Sequence, residues 1–358
     1  MAEQKQLRCL IAAGGTVGHV APSLAVAEAL RARGVEVTFA GSPDRVEARL
    51  VPERGYAFDA FRVVGMPRRP GARLLRALGL AAAAPAACLR ILARRRPDVV
   101  LGGGGYVAGP MVVAAWLRRI PAALTEADAH LGLANRLATP FVQRLFLAYP
   151  IPGMNGKARV VGRPIPSTSR ARSQTEARAL LELPEGERVV LVFGGSQGAQ
   201  TLNELATSAW GESGPTVLHL SGERDYDALR SRVHRPGYRL LPFIDDFGAA
   251  LGAADVVVAR AGGSVWEIAA AGKPAVLVPY PHATGSHQDR NAEYFADAGG
   301  AVVVDDSDAA RRVPQLVLEL LTDDARRQAM ADAMRAAAKP DAAERIADEL
   351  VALAAARR

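Results

Sequence analysis

The sequence has few cysteines, few aromatic residues and no long apolar run, and these shortages limit the classes of protein to which it can belong. Cys9 and Cys88 are the only cysteines in 358 residues. They form neither a disulfide framework nor a metal pattern, which fits a reducing compartment. Aromatic residues make up 5% of the chain and apolar residues 49%, so Leu, Val and Ala must fill the core. The N-terminal residues lack the pattern of a signal peptide, and we expect no cleaved leader.

Acidic residues are missing from residues 60–97, which hold nine arginines. The longest uncharged run there, 77–89, is too short to cross a bilayer, which needs about 20 residues. Leucines set among arginines are typical of a segment that lies on an anionic membrane surface. The alternative is an ordinary surface helix on an arginine-rich protein of net charge +7. The residues predicted to contact the membrane are Leu74, Leu75, Leu78, Arg68, Arg69, Arg73 and Arg76.

The chain is longer than the roughly 250–300 residues at which one core usually divides, and two domains are expected. Strand-like and helix-like segments alternate in both halves, which predicts an α/β fold with parallel sheets. The prolines at 162–166, followed by a polar run, indicate the linker between the domains. The predicted strands are 7–13, 35–40, 98–101, 121–124, 143–147, 160–161, 188–193, 215–219, 238–241, 255–258, 275–278 and 301–304. The predicted helices are 21–32, 73–95, 109–118, 131–138, 200–209, 223–233, 247–253, 265–271, 288–298, 309–321, 324–337 and 342–355.

Two glycine-rich turns, Gly14–His19 and Gly194–Ala199, each follow an apolar strand and precede a helix. Glycine permits a sharp turn, and the N-terminus of a helix offers unpaired N–H groups to an anion. The first turn lacks the spacing of a dinucleotide site and the Gly-Lys-Ser/Thr ending of a P-loop. One turn in each half predicts twin domains that face each other across a phosphate-holding cleft. A run of four glycines at 102–105 could supply a second set of donors in the first domain.

Several polar residues stand at further predicted strand ends. His19 could act as a base or bind an anion, or it could simply cap or pack. Glu267, in the first turn of a predicted helix, could accept the hydroxyls of a ribose, although glutamate is also common at helix starts. The histidines at 282 and 287 lack a third ligand cluster, so no metal site is expected. We interpret Asp306 and Asp308 as a helix cap.

Together these loops resemble the MurG family of N-acetylglucosaminyltransferases of peptidoglycan synthesis. The resemblance runs in order from about residue 7 to past residue 305. The matching segments are Gly14–His19 except at Val17, Gly104–Pro110, Gly194–Ala199 with Leu202 and Asn203, Glu267–Gly272, and His287–Gln288 with Asn291–Ala292.

The resemblance implies a GT-B fold of two Rossmann-like domains, 1–163 with a returning helix at 341–358, and 164–340. It implies inverting transfer of N-acetylglucosamine from UDP-N-acetylglucosamine to the C4 hydroxyl of lipid I, giving lipid II, with no metal or other cofactor. The implied partners are the nucleotide sugar, an undecaprenyl-linked lipid acceptor and the anionic inner-membrane surface, with no nucleic acid. The protein would lie at the cytoplasmic face of that membrane.

The resemblance also assigns roles to residues. His19 is the implied catalytic residue, with Glu126 and Asp128 as competing candidates for the general base. The implied residues that bind the acceptor diphosphate are Gly14, Gly15, Thr16, Gly18, Gly104, Gly105 and Tyr106. The implied donor-binding residues are Gly195, Ser196, Gln197, Gly198, Ile244, Gly262, Gly263, Ser264, Glu267, His287, Gln288 and Arg163.

Four departures from the family pattern leave room for other functions. Val17 replaces a glycine, and this position must therefore have a negative φ. Asp128 replaces an amide that could donate to a sugar hydroxyl, which a carboxylate cannot do. Pro166 replaces an arginine, and Arg163 is the nearest residue that could substitute for it. The segment 260–267 is one residue shorter than usual. The alternatives are a transferase with another lipid acceptor, a UDP-N-acetylglucosamine epimerase, and a non-catalytic paralogue that binds the nucleotide sugar.

Overall fold

The computed structural model describes residues 6–63, 72–154, 156–195 and 198–357, apart from the side chains of 72–83 and of Thr284. The chain divides into two compact units. The first comprises Met1–Pro166 and Pro340–Arg358, and the second comprises Ser167–Lys339. The first division falls within the proline-containing segment where the sequence indicates the linker.

The first unit is built on a seven-stranded sheet. Its strands run in the order β3-β2-β1-β4-β5-β6-β7, and every pair is parallel. Such a sheet requires crossover helices on its faces, so its inner strands are buried and apolar, whereas the edge strands β3 and β7 are partly exposed. The strands are β1 (Arg8–Ala13), β2 (Glu36–Gly41), β3 (Ala57–Ala60), β4 (Val99–Gly104), β5 (Ala122–Glu126), β6 (Arg144–Leu147) and β7 (Ala158–Val160).

The second unit repeats the same plan in a six-stranded parallel sheet of order β10-β9-β8-β11-β12-β13. Both orders reverse beside the first strand of the unit, which is the Rossmann arrangement. The predicted α/β fold with two parallel sheets is therefore confirmed. The strands are β8 (Val189–Phe193), β9 (Thr216–Leu220), β10 (Tyr238–Leu241), β11 (Val256–Ala259), β12 (Ala275–Leu277) and β13 (Ala301–Val303).

Helices connect the strands in both units. In the first unit they are α1 (Val17–Ala32), α2 (Glu47–Glu53), α3 (Ala72–Arg95), α4 (Ala108–Leu117) and α5 (Leu133–Ala138). In the second they are α6 (Gln174–Leu180), α7 (Gln200–Trp210), α8 (Glu223–Arg230), α9 (Phe247–Ala253), α10 (Val265–Ala270), α11 (His287–Asp297), α12 (Ala309–Thr322) and α13 (Asp324–Ala337). None of the helices in the described part of the chain combines the length and apolar character needed to span a bilayer.

The last helix, α14 (Ala342–Ala355), belongs to the first unit, where it packs along α1. Its apolar stripe, including Ile346 and Leu350, is fully buried in the core on that face of the sheet. Arg33 and Asp348 pair across the helix interface at 2.7 Å, and Arg144 reaches Glu349 at 2.8 Å. The buried apolar stripe therefore holds α14 against the first unit. The exposed ion pairs add little to stability and mainly orient the helix.

The sequence prediction missed short elements that carry little periodic signal. β3, α2 and α6 were not predicted, because segments of four to seven residues show too few repeats of a periodic pattern. Contacts with another element hold β3 in place: its Asp59 is buried and accepts hydrogen bonds from Arg94 and Arg95 at the end of α3. α1 also begins at Val17 instead of the predicted residue 21. Val17 is helical and does not have a positive φ, so that prediction is confirmed.

Candidate active site

Four glycine-bearing loops lie where the strand order reverses. In the first sheet the reversal falls between β1 and β4, which lead into the loops at Gly14 and Gly104. In the second sheet it falls between β8 and β11, which lead into the loops at Gly194 and Gly262. Ligands of open parallel sheets bind at the carboxyl ends of the strands on either side of such a reversal. Each unit therefore has one candidate ligand site of its own.

The two loops of the first unit are bonded to each other. The N–H of Gly14 donates to the carbonyl of Gly104 at 3.3 Å, and the N–H of Gly15 donates to the Glu47 carboxylate at 2.9 Å. A Cβ at Gly105 would run into the carbonyl oxygen of Gly14, so only glycine allows this approach. The N–H groups of Gly14 and Gly15, predicted to bind the acceptor diphosphate, are thus already engaged within the protein.

The donors left for an anion lie one step later, at the start of α1. The first N–H groups of a helix have no partner within it, and the helix dipole adds positive potential there. Thr16, Val17 and Gly18 are exposed at this end of a 16-residue helix. Tyr106, which follows the second loop, is 59% exposed. The structure therefore favours Thr16–Gly18 over Gly14 and Gly15 as the anion-binding part of the first loop.

His19 stands in the first turn of α1, between the two loops. The Thr16 hydroxyl lies 3.3 Å from its Nδ1, and Gly104 approaches the ring so closely that a Cβ there would lie 2.5 Å from Cδ2. Burial and the neighbouring Arg163 lower the pKa of His19, and the charges of Asp128 and Glu47 partly oppose them. The lowered pKa leaves a neutral imidazole at neutral pH, which can accept a proton.

Glu126, at the end of β5, is occupied by its own loop. Its carboxylate accepts bonds from the N–H groups of Ala127 and Gly132 at 3.0 Å and from the Asn135 side chain at 2.9 Å. Burial raises the pKa of Glu126, and these bonds work against that rise. The arrangement fits a residue that shapes the loop carrying Asp128 better than one that takes a proton from a substrate.

Arg163 lies in the first unit, on the chain that follows β7. Its guanidinium is buried and donates from Nη2 to the carbonyl of Gly18 at 2.5 Å. It also lines a narrow cavity together with Ser23, Thr125 and Ile346 of α14. The residue predicted to contact the donor is therefore placed against the loop predicted to bind the acceptor. Its proposed donor role stays a prediction.

The first loop of the second unit contains two glycines with positive φ that are bonded to each other. Gly195 and Gly198 have φ values of +92° and +74°, and the N–H of Gly198 donates to the carbonyl of Gly195 at 2.9 Å. α7 begins directly afterwards, so its unpaired N–H groups lie at the loop. The predicted donor residues Ser196 and Gln197 lie outside the described residues.

A buried polar network beneath this loop was not predicted. The Asn203 side-chain oxygen lies 3.0 Å from His219 Nε2, and its amide donates to the carbonyl of Ser221 at 3.0 Å and to Asp225 at 2.8 Å. Since that oxygen only accepts, His219 carries its proton on Nε2, and Nδ1 accepts from the Tyr238 hydroxyl at 2.8 Å. The network holds Ser221 against Gly198, where a Cβ would meet the Ser221 carbonyl. A single histidine on an apolar strand gives no hint of this.

The remaining predicted donor residues surround the second loop and the chain after β12. Gly262, Gly263 and Ser264 precede α10. Glu267 lies in the first turn of α10, as predicted, and its side chain is half-buried. Gln288, in the first turn of α11, accepts from the N–H of Tyr280 at 2.9 Å through its side-chain oxygen. Its amide N–H donors point to no partner among the contacts of the described residues and are available to a ligand. His287 and Ile244 are half-buried, and Ile244 follows β10.

The interpretation of Asp306 and Asp308 as a helix cap holds for the position of Asp308 and is wrong for Asp306. Asp308 occupies the N-cap position of α12 without a side-chain bond to the helix. Asp306 instead accepts from the buried Arg260, which also donates to the carbonyls of Val278 and Pro279, and from the Thr201 hydroxyl of α7. The pair therefore ties together the loops after β11, β12 and β13. Within the described part of the chain, His, Cys, Asp and Glu form no group of three that could hold a metal ion.

For most residues predicted to contact the membrane, the structure does not describe the side chain. Arg68 and Arg69 lie outside the described residues. Leu74, Leu75, Leu78, Arg73 and Arg76 lie on α3, but their side chains are not described. The adjacent helix α4, which packs along α3, presents Trp116 and Leu117 with 51% and 54% of their surface exposed.

Comparison with known proteins places this pair of sheets in a class of sugar-transferring enzymes. Residues 9–147 match the family model of the glycosyltransferase family 28 N-terminal domain, and residues 189–346 match that of its C-terminal domain. The crystal structure of MurG from Acinetobacter baumannii superimposes with a TM-score of 0.78 at 28% identity, covering 97% of this chain and 99% of that one.

Two relatives narrow the class further. The protein of Halothermothrix orenii is 36% identical, over 93% of this chain and 95% of its own length. That of a Nocardioides species is 42% identical, over 95% of this chain and 96% of its own. Both are named UDP-N-acetylglucosamine–N-acetylmuramyl-(pentapeptide) pyrophosphoryl-undecaprenol N-acetylglucosamine transferase. The chain belongs to this family of glycosyltransferases, which is the family that the sequence motifs indicated.

Proposed function

We propose that this protein transfers N-acetylglucosamine from UDP-N-acetylglucosamine to the C4 hydroxyl of N-acetylmuramyl-(pentapeptide) pyrophosphoryl-undecaprenol. The observation that carries the proposal is membership, over nearly the whole chain, in a family named for this transfer. The two sites add physical support, because each sheet offers a helix N-terminus and a glycine turn to one diphosphate. One of the substrates is a nucleotide diphosphate and the other a lipid diphosphate.

In the first unit, the N-terminus of α1 holds the acceptor diphosphate and His19 acts on the acceptor sugar. As the C4 oxygen bonds to the anomeric carbon, its proton passes to the neutral His19 imidazole. The Thr16 hydroxyl beside Nδ1 fixes the orientation of the ring. Asp128 faces His19 and favours the imidazolium that results.

In the second unit, the leaving UDP is stabilised where its charge develops. The bond between the anomeric carbon and the β-phosphate oxygen breaks as the new bond forms on the opposite face, so the configuration inverts. The electron pair leaves with the diphosphate, at the N-terminus of α7. Oriented N–H groups can stabilise such charge without a cation. Glu267 binds the ribose hydroxyls, Ile244 the uracil and Gln288 the transferred sugar.

The assay supplies purified protein with UDP-N-acetylglucosamine and a water-soluble analogue of the lipid acceptor, and it measures UDP release and the disaccharide product. Product with the stated linkage supports the proposal. UDP binding without product would favour a non-catalytic paralogue. Turnover only with a different lipid acceptor would assign another specificity. Conversion of the sugar nucleotide with no acceptor present would point to an epimerase.

We further propose that the protein acts at the anionic cytoplasmic surface of the inner membrane. The arginine-rich stretch 60–97 and the exposed Trp116 and Leu117 on the neighbouring helix support this, because an apolar patch among arginines suits an anionic interface. Replacing Leu74, Leu75 and Leu78 together by Ser should reduce sedimentation with phosphatidylglycerol vesicles. Leu318→Ser, at a leucine of the second unit that is 62% exposed, is the matched control. Undiminished binding of the triple variant would place the contact elsewhere.

A further inference from the structure

Glu47 is a buried carboxylate that the proposed mechanism does not use. It begins α2, and none of its surface is exposed. Its Oε2 accepts the N–H of Gly15 at 2.9 Å, and its Oε1 accepts the N–H of Ser42 at 3.0 Å. One side chain therefore joins the chain after β2 to the glycine turn after β1.

The surrounding chain is shaped to admit this side chain. A Cβ at Gly14 would lie 2.5 Å from Cδ of Glu47, and a Cβ at Gly41 would lie 2.7 Å from its Cγ. Neither glycine has a positive φ, so their role here is to leave room. The volume of two missing side chains is filled by one carboxylate under the loop that leads into α1.

The charge of Glu47 is unfavourable for the ligand that the loop is proposed to bind. A carboxylate buried near a diphosphate site lowers anion affinity, and a buried charge is costly unless it is well bonded. What it provides instead is geometry: its two oxygens each accept one N–H group, whereas an amide side chain of the same shape would present an NH₂ donor in place of one of those oxygens. It thereby fixes Gly15, whose φ is +93°, and with it the direction in which α1 starts.

Glu47 also belongs to the charged groups that face His19. They are Arg163 from the chain after β7, Asp128 from the loop after β5, and Glu47 from α2. Arg163 disfavours the protonated ring, whereas the two carboxylates favour it. A change at Glu47 should therefore be visible in the titration of His19.

We propose that Glu47 is a positioning residue for the transfer reaction: its carboxylate fixes the Gly14–Gly15 turn so that His19 and the first N–H groups of α1 meet the acceptor together. This rests on the proposed function for the kinetic effect, but not for the effect of the Glu47 charge on His19. The residue does not touch substrate, and it acts through the loop.

The test compares Glu47→Gln with Glu53→Gln, a change on the same helix at an exposed side chain that pairs only with Arg49 in the described contacts. In Glu47→Gln one of the two backbone N–H groups faces an amide N–H. We expect kcat to fall about 10–100-fold, with a raised KM for the acceptor analogue and an unchanged Kd for UDP. Glu53→Gln should match wild type. Equal kinetics for both variants would overturn the proposal.

A second variant covers the case in which Glu47→Gln does not fold. Gly15→Ala keeps Glu47 and adds a Cβ into open space, yet strains the positive φ. It should reproduce the acceptor-side defect with UDP binding intact. Wild-type turnover by Gly15→Ala would show that the turn geometry does not matter and would overturn the proposal.

NMR titration of His19 separates this inference from the proposed function. Glu47→Gln should lower the pKa of His19 relative to wild type and to Glu53→Gln, since one favourable negative charge is lost, whether or not the protein turns over the chosen substrates. An unmoved His19 titration in a folded Glu47→Gln would refute the coupling. Absence of turnover in wild type, with the titration shift present, would count against the proposed function alone.

Discussion

Arg163 and Gly18 are joined by a hydrogen bond of 2.5 Å from the guanidinium Nη2 to the backbone carbonyl. The bond connects the chain after the last strand of the first unit to the first turn of α1, next to His19. Among the described residues Arg163 forms no ion pair with a carboxylate; its charge acts on the Gly18 carbonyl and on His19. This contact makes the acid–base behaviour of His19 a property of the tertiary structure.

Arg163→Gln should raise the pKa of His19, because the positive charge that disfavours the imidazolium is removed. A base must be unprotonated, so the acid limb of the kcat profile should move to higher pH. The lost bond to Gly18 should also cost about 1.5–3 kcal/mol of stability. The checks are a pH–rate profile and urea unfolding. Arg159→Gln, which loses contacts to the nearby carbonyls of Gly156 and Ala158, should leave the profile in place.

His19→Ala should lower kcat by about 10²–10⁴-fold, the usual effect of removing a general base. UDP binding should not change, since the donor site belongs to the other unit. Steady-state kinetics with the acceptor analogue, together with calorimetric titration of UDP, measure both quantities. His234→Ala, at an exposed histidine of the second unit, is the control. Retained turnover would transfer the base role to Asp128 or Glu126.

Glu267→Ala should raise KM for UDP-N-acetylglucosamine about tenfold or more, with a smaller effect on kcat. The physical reason is the loss of an acceptor for the ribose hydroxyls in the first turn of α10. Glu293→Ala, at an exposed position on α11, should behave as wild type. An unaltered KM for UDP-N-acetylglucosamine would show that Glu267 does not bind the ribose.

His219 should make the second unit sensitive to acid. Burial lowers its pKa from 6.5 to about 4. Between these values the unfolded chain binds the extra proton, so stability is present above pH 6.5 and is lost as the pH falls toward 4. At about 1.4 kcal/mol for each unit of pKa, the loss approaches ~3 kcal/mol.

Urea unfolding at pH 7.5 and 4.5 measures this loss, with fluorescence from the buried Trp210 and Trp266 as the probe. His219→Gln should lose less stability between the two pH values than wild type does. His234→Gln should lose as much as wild type. A pH dependence of His219→Gln equal to that of wild type would assign the acid sensitivity to other groups.

Local sequence patterns were sufficient for the framework of this protein. Apolar runs of five or six residues, such as 189–193, predict buried parallel strands, and a glycine turn before a helix marks an anion site at the strand end. These signals depend on neighbours in the chain, which is why the α/β class, most helices and the positions of the candidate loops followed from the sequence. Ordered motifs added the family, which the comparisons confirm.

Contacts between distant segments decided the rest. The N–H groups of Gly14 and Gly15 were expected to bind phosphate, but Gly104 and Glu47 engage them, and neither contact leaves a trace in local periodicity. Asp306 resembles a helix cap in sequence, yet Arg260, 46 residues away, takes its carboxylate. The sequence by itself determined which chain segments become strands, turns and helices, because those choices are local. Only the tertiary structure determined which donors remain free and which charges face His19, because burial and charge pairing depend on the whole packed unit.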